Sequence, residues 1–418
     1  MRRIIYLMVF ILVASCSELS KGDPTQQQPE PITPIEVEPA KAITLLPKTR
    51  AILEQTNSYA FNFFKAVSQE QDKNLFLSPY SLSAALGMLY NGAEGETKAE
   101  IAKVLGMDGY TPEEINKYYQ ELTTALFKVD PLSSLSLANA IWAKKGITLK
   151  NSFVEMNQNY YDAEVSTLDF SLPSALQTIN SWCDEKTNGT IPKILDQIDP
   201  LSIVMLANAI YFKSLWTNDF NKSKTVDKTF HNLDGSASKV PMMHQKQMLM
   251  EYAQMEKCGM VTLPYGNGAF AMNLILPEEG ANIDALIEDL DRESWQAMRA
   301  HTDRVKVTLS MPRFKIENTL DLVDILMGMG MQKAFSDADF SAMLDISANV
   351  SKVLQKSYIS VDEVGTEAAA VTVIAMTTSI GPMPNPEEVT MVLDRPFIFA
   401  ITEQSTGAIL FMGKVTKF

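Results

Sequence analysis

Acid–base, nucleophilic and metal chemistry all draw on histidine, cysteine, serine and carboxylates held at particular spacings. This chain has three histidines, His231, His244 and His301, set far apart. It contains no HExxH motif, no closely spaced Cys/His cluster and no GxSxG elbow. Nor does it carry a Walker-type phosphate loop or a strand-linked GxGxxG. Gly328 and Gly330 in "GMGM" close a helical pattern, where glycine serves as a C-cap rather than a phosphate cradle. The acid pairs Glu278–Glu279 and Glu387–Glu388 read as solvated turn and loop charges. These residues predict neither an enzyme nor a cofactor or metal site. A hydrolase assembled from distant residues is the one catalytic alternative that spacing leaves open.

A different stretch stands out by what it lacks. "DEVGTEAAAVTVIAMTTSIGPMPNPEEV", from Asp362 to Val389, has no lysine or arginine and no stripe of large residues. No proline occurs from Gly365 through Ile380; prolines then recur at 382, 384 and 386. The segment can be a strand, yet it ends like an exposed loop. With period-two alternation, Thr366, Ala368, Ala370, Thr372, Ile374, Met376 and Thr378 share one face. Glu367, Ala369, Val371 and Val373 take the other, which lets the Glu367 charge stay solvated. Ala368 to Ala370 would suit a helix, but Thr372 and Val373 would not. Gly365 is free in its backbone angles and suits a pivot.

The elements around this stretch come from a long chain. It has 418 residues, 46% of them apolar, enough for a large core and one or two domains. The net charge of −14 speaks against a nucleic-acid or heparin-like partner, which needs a basic footprint. The opening "MRRIIYLMVFILVASC" sets two arginines before an apolar run too short to span a bilayer, and reads as an export signal over 1–15. Val13-Ala14-Ser15-Cys16 resembles a bacterial lipobox, which would place lipid chains on Cys16 and tether the body to a membrane. Residues 16–47, rich in Pro and Gln, read as an extended spacer. Cys183 and Cys258 remain; one disulfide is arithmetically open to them, and two separate buried thiols are the expectation.

From Lys48 the chain becomes periodic. Helical spacing is clear in "TRAILEQTNSYAFNFFKAV" and in the Ser-Pro start of "SPYSLSAALGMLYNGA", and again over Ala99–Leu105 and Glu113–Phe127. "LSLANAIWAKKG" and "SIVMLANAIYFKSLW" predict central strands covered on both faces. "GMVTLPYG", "AFAMNLILP", "RVKVTLSMPRFKI", "MVLDRPFIFAIT" and "AILFMGKV" predict further strands. Helices dominate the first half and strands the second, which predicts an α+β fold.

Five stretches, in this order, resemble the serpin family: "NLFLSPYSLSAALGMLYNGAEGET", "INSWCDEKTNGTI", "LANAIYFKSLW", "DEVGTEAAA" and "DRPFIFAI…GAILFMGKV". The likeness runs from Arg50 to Phe418, so 48–418 is identified as a serpin domain. The resemblance implies three β-sheets, eight or nine helices and an exposed reactive-centre loop over about 364–391. It implies suicide inhibition of proteases by a monomer rather than catalysis: the cleaved loop inserts as a strand while the protease is still covalently bound. A non-inhibitory relative acting as a binding or scaffold protein is the alternative.

Family spacing puts the scissile residue sixteen after the hinge glutamate Glu363, at Ser379, with cleavage before Ile380. Counting back eleven from Pro396 gives Asn385 instead. The first count is preferred, because the inserted strand must span the sheet while the residual tether is free in length. Met376, Thr377, Thr378 and Ile380 remain alternatives. No Lys or Arg lies between Lys356 and Arg395, so targets should be elastase-, subtilisin- or chymotrypsin-like, or papain-like, rather than trypsin-like. The hinge comprises Glu363, Gly365, Thr366, Glu367, Ala368, Ala369 and Ala370. Ser78, Ser81 and Asn208 match the family's polar shutter, with Gln355 where a histidine is usual. Arg313 and Glu363 match an ion pair at the breach, beside Trp216. Lys186, Thr187 and Gly189 match structural positions. Export and a lipid on Cys16 would place the protein on the bacterial cell envelope, at the outer membrane, facing the periplasm or the surface.

Overall fold

The structure, a computed structural model, describes residues 35–366, 373–375 and 386–418. The signal expected at 1–15, Cys16 and the spacer up to Pro34 lie outside the described residues. The chain enters through β1 (Ile35–Val37) and α1 (Pro47–Gln69), then β2 (Leu75–Leu77), α2 (Pro79–Gly92), α3 (Gly95–Leu105) and α4 (Pro112–Leu126). β3 (Ser134–Lys144), α5 (Asn151–Tyr161), β4 (Glu164–Leu168), α6 (Pro173–Lys186) and β5 (Val204–Leu215) follow. Next come β6 (Val226–His231), β7 (Ala237–Gln254), β8 (Cys258–Pro264), β9 (Phe270–Pro277), α7 (Ile283–Asp289) and α8 (Arg292–Ala300). β10 (Asp303–Pro312) and β11 (Phe314–Asp321) precede two short helices, α9 (Val323–Gly328) and α10 (Lys333–Ser336). The rest is β12 (Val350–Val361), β13 (Gly365–Thr366), β14 (Val373–Ala375), β15 (Glu388–Val392), β16 (Phe397–Glu403) and β17 (Ile409–Val415).

Ten helices are therefore described where eight or nine were expected; α9 and α10 have six and four residues and are little more than single turns. A nine-stranded sheet runs β15-β10-β7-β8-β9-β16-β17-β2, with β6 on β7. Two of the three expected sheets thus run into one another through the 18-residue β7, which bends at Gln247, where φ is +54°. A six-stranded sheet has the order β11-β12-β13-β5-β3-β4. β1 also pairs in parallel with β14, Ile35 opposite Val373.

Local chemistry sets these elements. Pro112 occupies the first turn of α4, and Thr111 with Glu114 forms a reciprocal capping box. All fourteen residues of α2 are buried, because the helix lies between the six-stranded sheet and the rest of the core. On the sheet's other face, α6 sets Ile179, Trp182 and Cys183 into a second cluster with Ala138, Trp142, Ala207, Ala209 and Leu354. β3 and β5 are thus covered on both sides. The spacer reading needs one correction: Ala40, Ile43 and Leu45 pack on the core, and the Ile43 amide donates to Ser405 Oγ at 2.9 Å. Their apolar side chains find a surface, so residues 38–46 follow the body instead of standing off it. Cys183 and Cys258 are separate free thiols in different clusters. Burial pushes the first up to about 12 and the second to about 11.

Candidate functional site

The site is a seam in the six-stranded sheet. β12 and β5 pair directly and in parallel from Val350–Val204 to Lys356–Ala209. Above that point they part. β12 ends at Val361, and the chain reverses through a turn whose corner is Asp362. The Asp362 Oδ1 accepts from the amides of Val364 (2.8 Å) and Gly365 (3.2 Å), and its own amide donates to the Gly365 carbonyl at 3.0 Å. β13 then enters the gap antiparallel to both neighbours, with Thr366 opposite Val361 on one side and Ser214 on the other. Gly365 and Thr366, two of the expected hinge residues, therefore form a two-residue wedge at the top of the seam.

Gly365 is needed here for space, a different reason from the backbone freedom expected of a pivot. A Cβ on it would lie 2.1 Å from the Ser214 carbonyl oxygen and 2.8 Å from Leu215 Cα. Thr366 is 1% exposed, and its hydroxyl lies 2.6 Å from the Tyr265 hydroxyl. Burial raises the Tyr265 pKa, against the opposing hydrogen bond from Thr366, so the phenol stays neutral. Tyr265 in turn stacks on Trp216 with ring centroids 4.3 Å apart.

Trp216 holds the turn. Its Nε1 donates to the Asp362 carbonyl at 2.9 Å and its amide to the Val364 carbonyl at 2.8 Å. Glu363, between them, points inward and is 3% exposed. Arg313 donates to Glu363 Oε1 through Nε at 2.9 Å and also through Nη2, and Thr225 donates to the same oxygen. Burial pushes the Glu363 carboxyl up, but the hydrogen bonds from Arg313 and Thr225 outweigh it and the net shift is downward. The expected ion pair and its aromatic neighbour are thus assembled at one place.

Lower on the same seam lies a row of polar side chains. Asn139, Asn208 and Gln355 are direct neighbours across β3, β5 and β12, and none is more than 2% exposed. The Asn208 Nδ2 donates to Asn139 Oδ1 at 2.8 Å and to the Ser81 carbonyl at 3.1 Å. Ser81 Oγ donates to Asn208 Oδ1. Gln355 grips Ser78 twice: Oε1 accepts from its amide at 3.0 Å and Nε2 donates to its carbonyl at 2.9 Å. Ser78 also caps α2, its Oγ accepting from the Ser81 amide at 3.2 Å and donating to the Leu410 carbonyl at 2.7 Å. The first turn of α2 therefore holds β12 through Ser78 and β5 through Ser81. Thr187, expected to be structural, is buried at the end of α6, its Oγ1 donating to the Cys183 carbonyl at 2.8 Å.

Glu367, Ala368, Ala369 and Ala370, and the scissile candidates Met376, Thr377, Thr378, Ser379 and Ile380, lie outside the described residues. Three participants escaped the sequence reading. Asn139 sits in a strand read as apolar. Thr225 carries no motif. Tyr265 stands in "LPYG", which signals a strand end and nothing about a hinge. Among the described residues no cluster of three or more His, Cys, Asp or Glu is arranged to hold a metal ion. What the arrangement can do is mechanical: hold a seam shut while a strand waits at its upper end.

Known proteins share this architecture. Residues 54–418 match a family model described as Serpin (serine protease inhibitor). A serpin-like protein of the archaeon Thermococcus kodakarensis is 32% identical, with 99% of each chain covered. The human leukocyte elastase inhibitor is 33% identical over 87% of this chain and 100% of its own. Among solved structures, the native state of the thermophilic serpin tengpin superposes with a TM-score of 0.80 at 32% identity, covering 92% of this chain and 98% of that one.

Proposed function

The chain belongs to the serpin family, and from that membership we propose that it is a suicide inhibitor of endopeptidases of elastase, subtilisin or chymotrypsin type, with papain-like enzymes as further targets. The observation that carries this reading is the β13 wedge, antiparallel between two strands that below it pair with each other in parallel. Parallel pairing is the less stable kind per residue. A strand extending β13 downward would replace one parallel ladder with two antiparallel ones and bury its small side chains. That gain is unavailable while the loop is intact, because both its ends are fixed to the body. Cleavage frees one end.

The chemistry is the protease's own. Its nucleophilic serine oxygen attacks the Ser379 carbonyl carbon, the Ser379–Ile380 amide bond breaks, and the proton passes to the leaving Ile380 amine. An ester to the enzyme results, and water would normally hydrolyse it. Insertion competes with that hydrolysis. Sixteen residues from Glu363 to Ser379 at about 3.3 Å each carry the enzyme roughly 53 Å. The named elastase inhibitor among the relatives, and the absence of Lys and Arg between Lys356 and Arg395, support the choice of target. The test is incubation with elastase or subtilisin followed by denaturing electrophoresis. A covalent adduct with cleavage before Ile380 is expected, and none with trypsin. A nicked chain without adduct would favour the binding or scaffold role instead.

We also propose that the body is exported and held at the bacterial outer membrane by lipid on Cys16. Labelled palmitate should enter the full chain and be lost in Cys16→Ala.

A further inference from the structure

The hairpin turn between β7 and β8 gathers sulfur. The two strands pair as far as Gln254–Gly259, and the Met255 amide donates to the Cys258 carbonyl at 2.9 Å. Met255 and Cys258 thus close the ladder as the next facing pair. Facing residues on antiparallel strands set their side chains on one side of the sheet, with Cβ atoms about 4.5–5.5 Å apart. From α8, Met298 brings its Sδ to 3.9 Å from Cys258 Sγ. All three residues line one cavity of about 270 Å³, walled also by Leu286 and Leu290. Cys258 and Met298 are buried, and Met255 is half-buried at the turn, where the cavity meets solvent. At the rim, the Asp289 carboxylate is held by Lys257. The Cys258 thiol is free, and burial, followed by the charge of Glu278, raises its pKa. The same negative charge favours a cation beside it.

We propose that Met255, Cys258 and Met298 bind one copper(I) ion. Thiolate and thioether sulfurs are soft donors, and such donors select Cu(I) over harder divalent ions. Two sulfurs each ~2.3 Å from one ion and about 120° apart lie about 4.0 Å from each other, close to the 3.9 Å observed. Unbranched methionine side chains can turn their sulfur to an ion while the backbone stays in place. On binding, the Cys258 S–H bond breaks, the sulfur's electron pair goes to the metal and the proton leaves to solvent. Copper stays in its +1 state throughout. Cys258 opens β8, and Tyr265 of the seam follows the far end of that strand, about 20 Å away. The site is therefore separate from the seam and does not depend on the inhibitor reading.

The test is anaerobic titration of the full chain into the coloured copper(I)–bicinchoninate complex, read as loss of colour. Cys16→Ala serves as the parent, so that no thiol of the N-terminal segment competes. It should withdraw one equivalent of copper and gain thermal midpoint as it does so. Cys258→Ser should lose both effects, and Cys183→Ser should keep both. Met255→Leu and Met298→Leu, swaps that conserve core volume, should each weaken binding by at least about tenfold. Excess zinc(II) should not displace the copper. No withdrawal by the parent, or withdrawal unchanged in Cys258→Ser or Met298→Leu, overturns the site. Affinity unchanged in Met255→Leu overturns the three-sulfur set, and displacement by zinc overturns the choice of metal.

Discussion

Gly365 and Thr366 are where a single atom decides the outcome. A Cβ at 365 meets the backbone of β5, which cannot swing aside as a side-chain tip could. Gly365→Ala should therefore expel the wedge at a cost of about 1–3 kcal/mol, read by urea unfolding, and raise the fraction of loops cut without adduct. Thr366→Arg should do the same more completely, since its charge would enter a site now 1% exposed; an unchanged adduct yield would refute the insertion face. Glu363 gives a pH test. Its folded pKa is lowered, so its stabilisation is present above the unfolded value near ~4.3 and is lost as pH falls through the folded one. The stability gap between the parent and Glu363→Gln should be constant from about pH 7 to 5 and close below about pH 4. Gln355 does not titrate, so the shutter itself should be flat over that range. In Gln355→His, accepting from the Ser78 amide would need a neutral ring, so the folded pKa should fall. That variant should lose stability as pH drops through about 6, measured the same way. The sequence placed these residues through spacing and family likeness. It missed Tyr265 because a hydroxyl partner in a folded core leaves no local pattern.

Among the elements, β3 and β5 were legible because their central stretches are buried on both faces, leaving long apolar runs interrupted there by Asn139 and Asn208. β12 was not. Its inward positions include Gln355 and Ser357, both fully buried, and polar residues at core positions erase the alternation that marks a strand. The same polarity lets α2 grip that strand through Ser78 and Gln355. β7 was hidden by Pro241 and by the change of facing at Gln247. The seam between β12 and β5 makes its own prediction. A synthetic peptide of Gly365 to Met376, GTEAAAVTVIAM, should anneal into it, raise the thermal midpoint and abolish adduct formation with elastase. A peptide with Arg in place of Thr366 should anneal poorly. α6 packs across both β5 and Leu354 of β12, so under the proposed insertion it would have to yield as a strand passes beneath it.

At the scale of the whole molecule, the proposed mechanism makes stability a question of rate: the intact form would persist because the better-paired sheet lies behind a barrier. Nicking in the loop should raise the thermal midpoint well above that of the intact chain, and scanning calorimetry of the two forms tests it. A midpoint left unchanged would mean that the freed segment stays out of the sheet. The register Gly365–Leu215 and Thr366–Ser214, carried downward, sets Met376 opposite Val204, the last residue of β5 at that end. Under the proposed insertion the six-stranded sheet would act as a tape measure. An enzyme esterified to Ser379 would be drawn to within three residues of its end and pressed against the base. One attached at Asn385 would keep nine residues of slack, enough to recover its shape, hydrolyse the ester and walk away active.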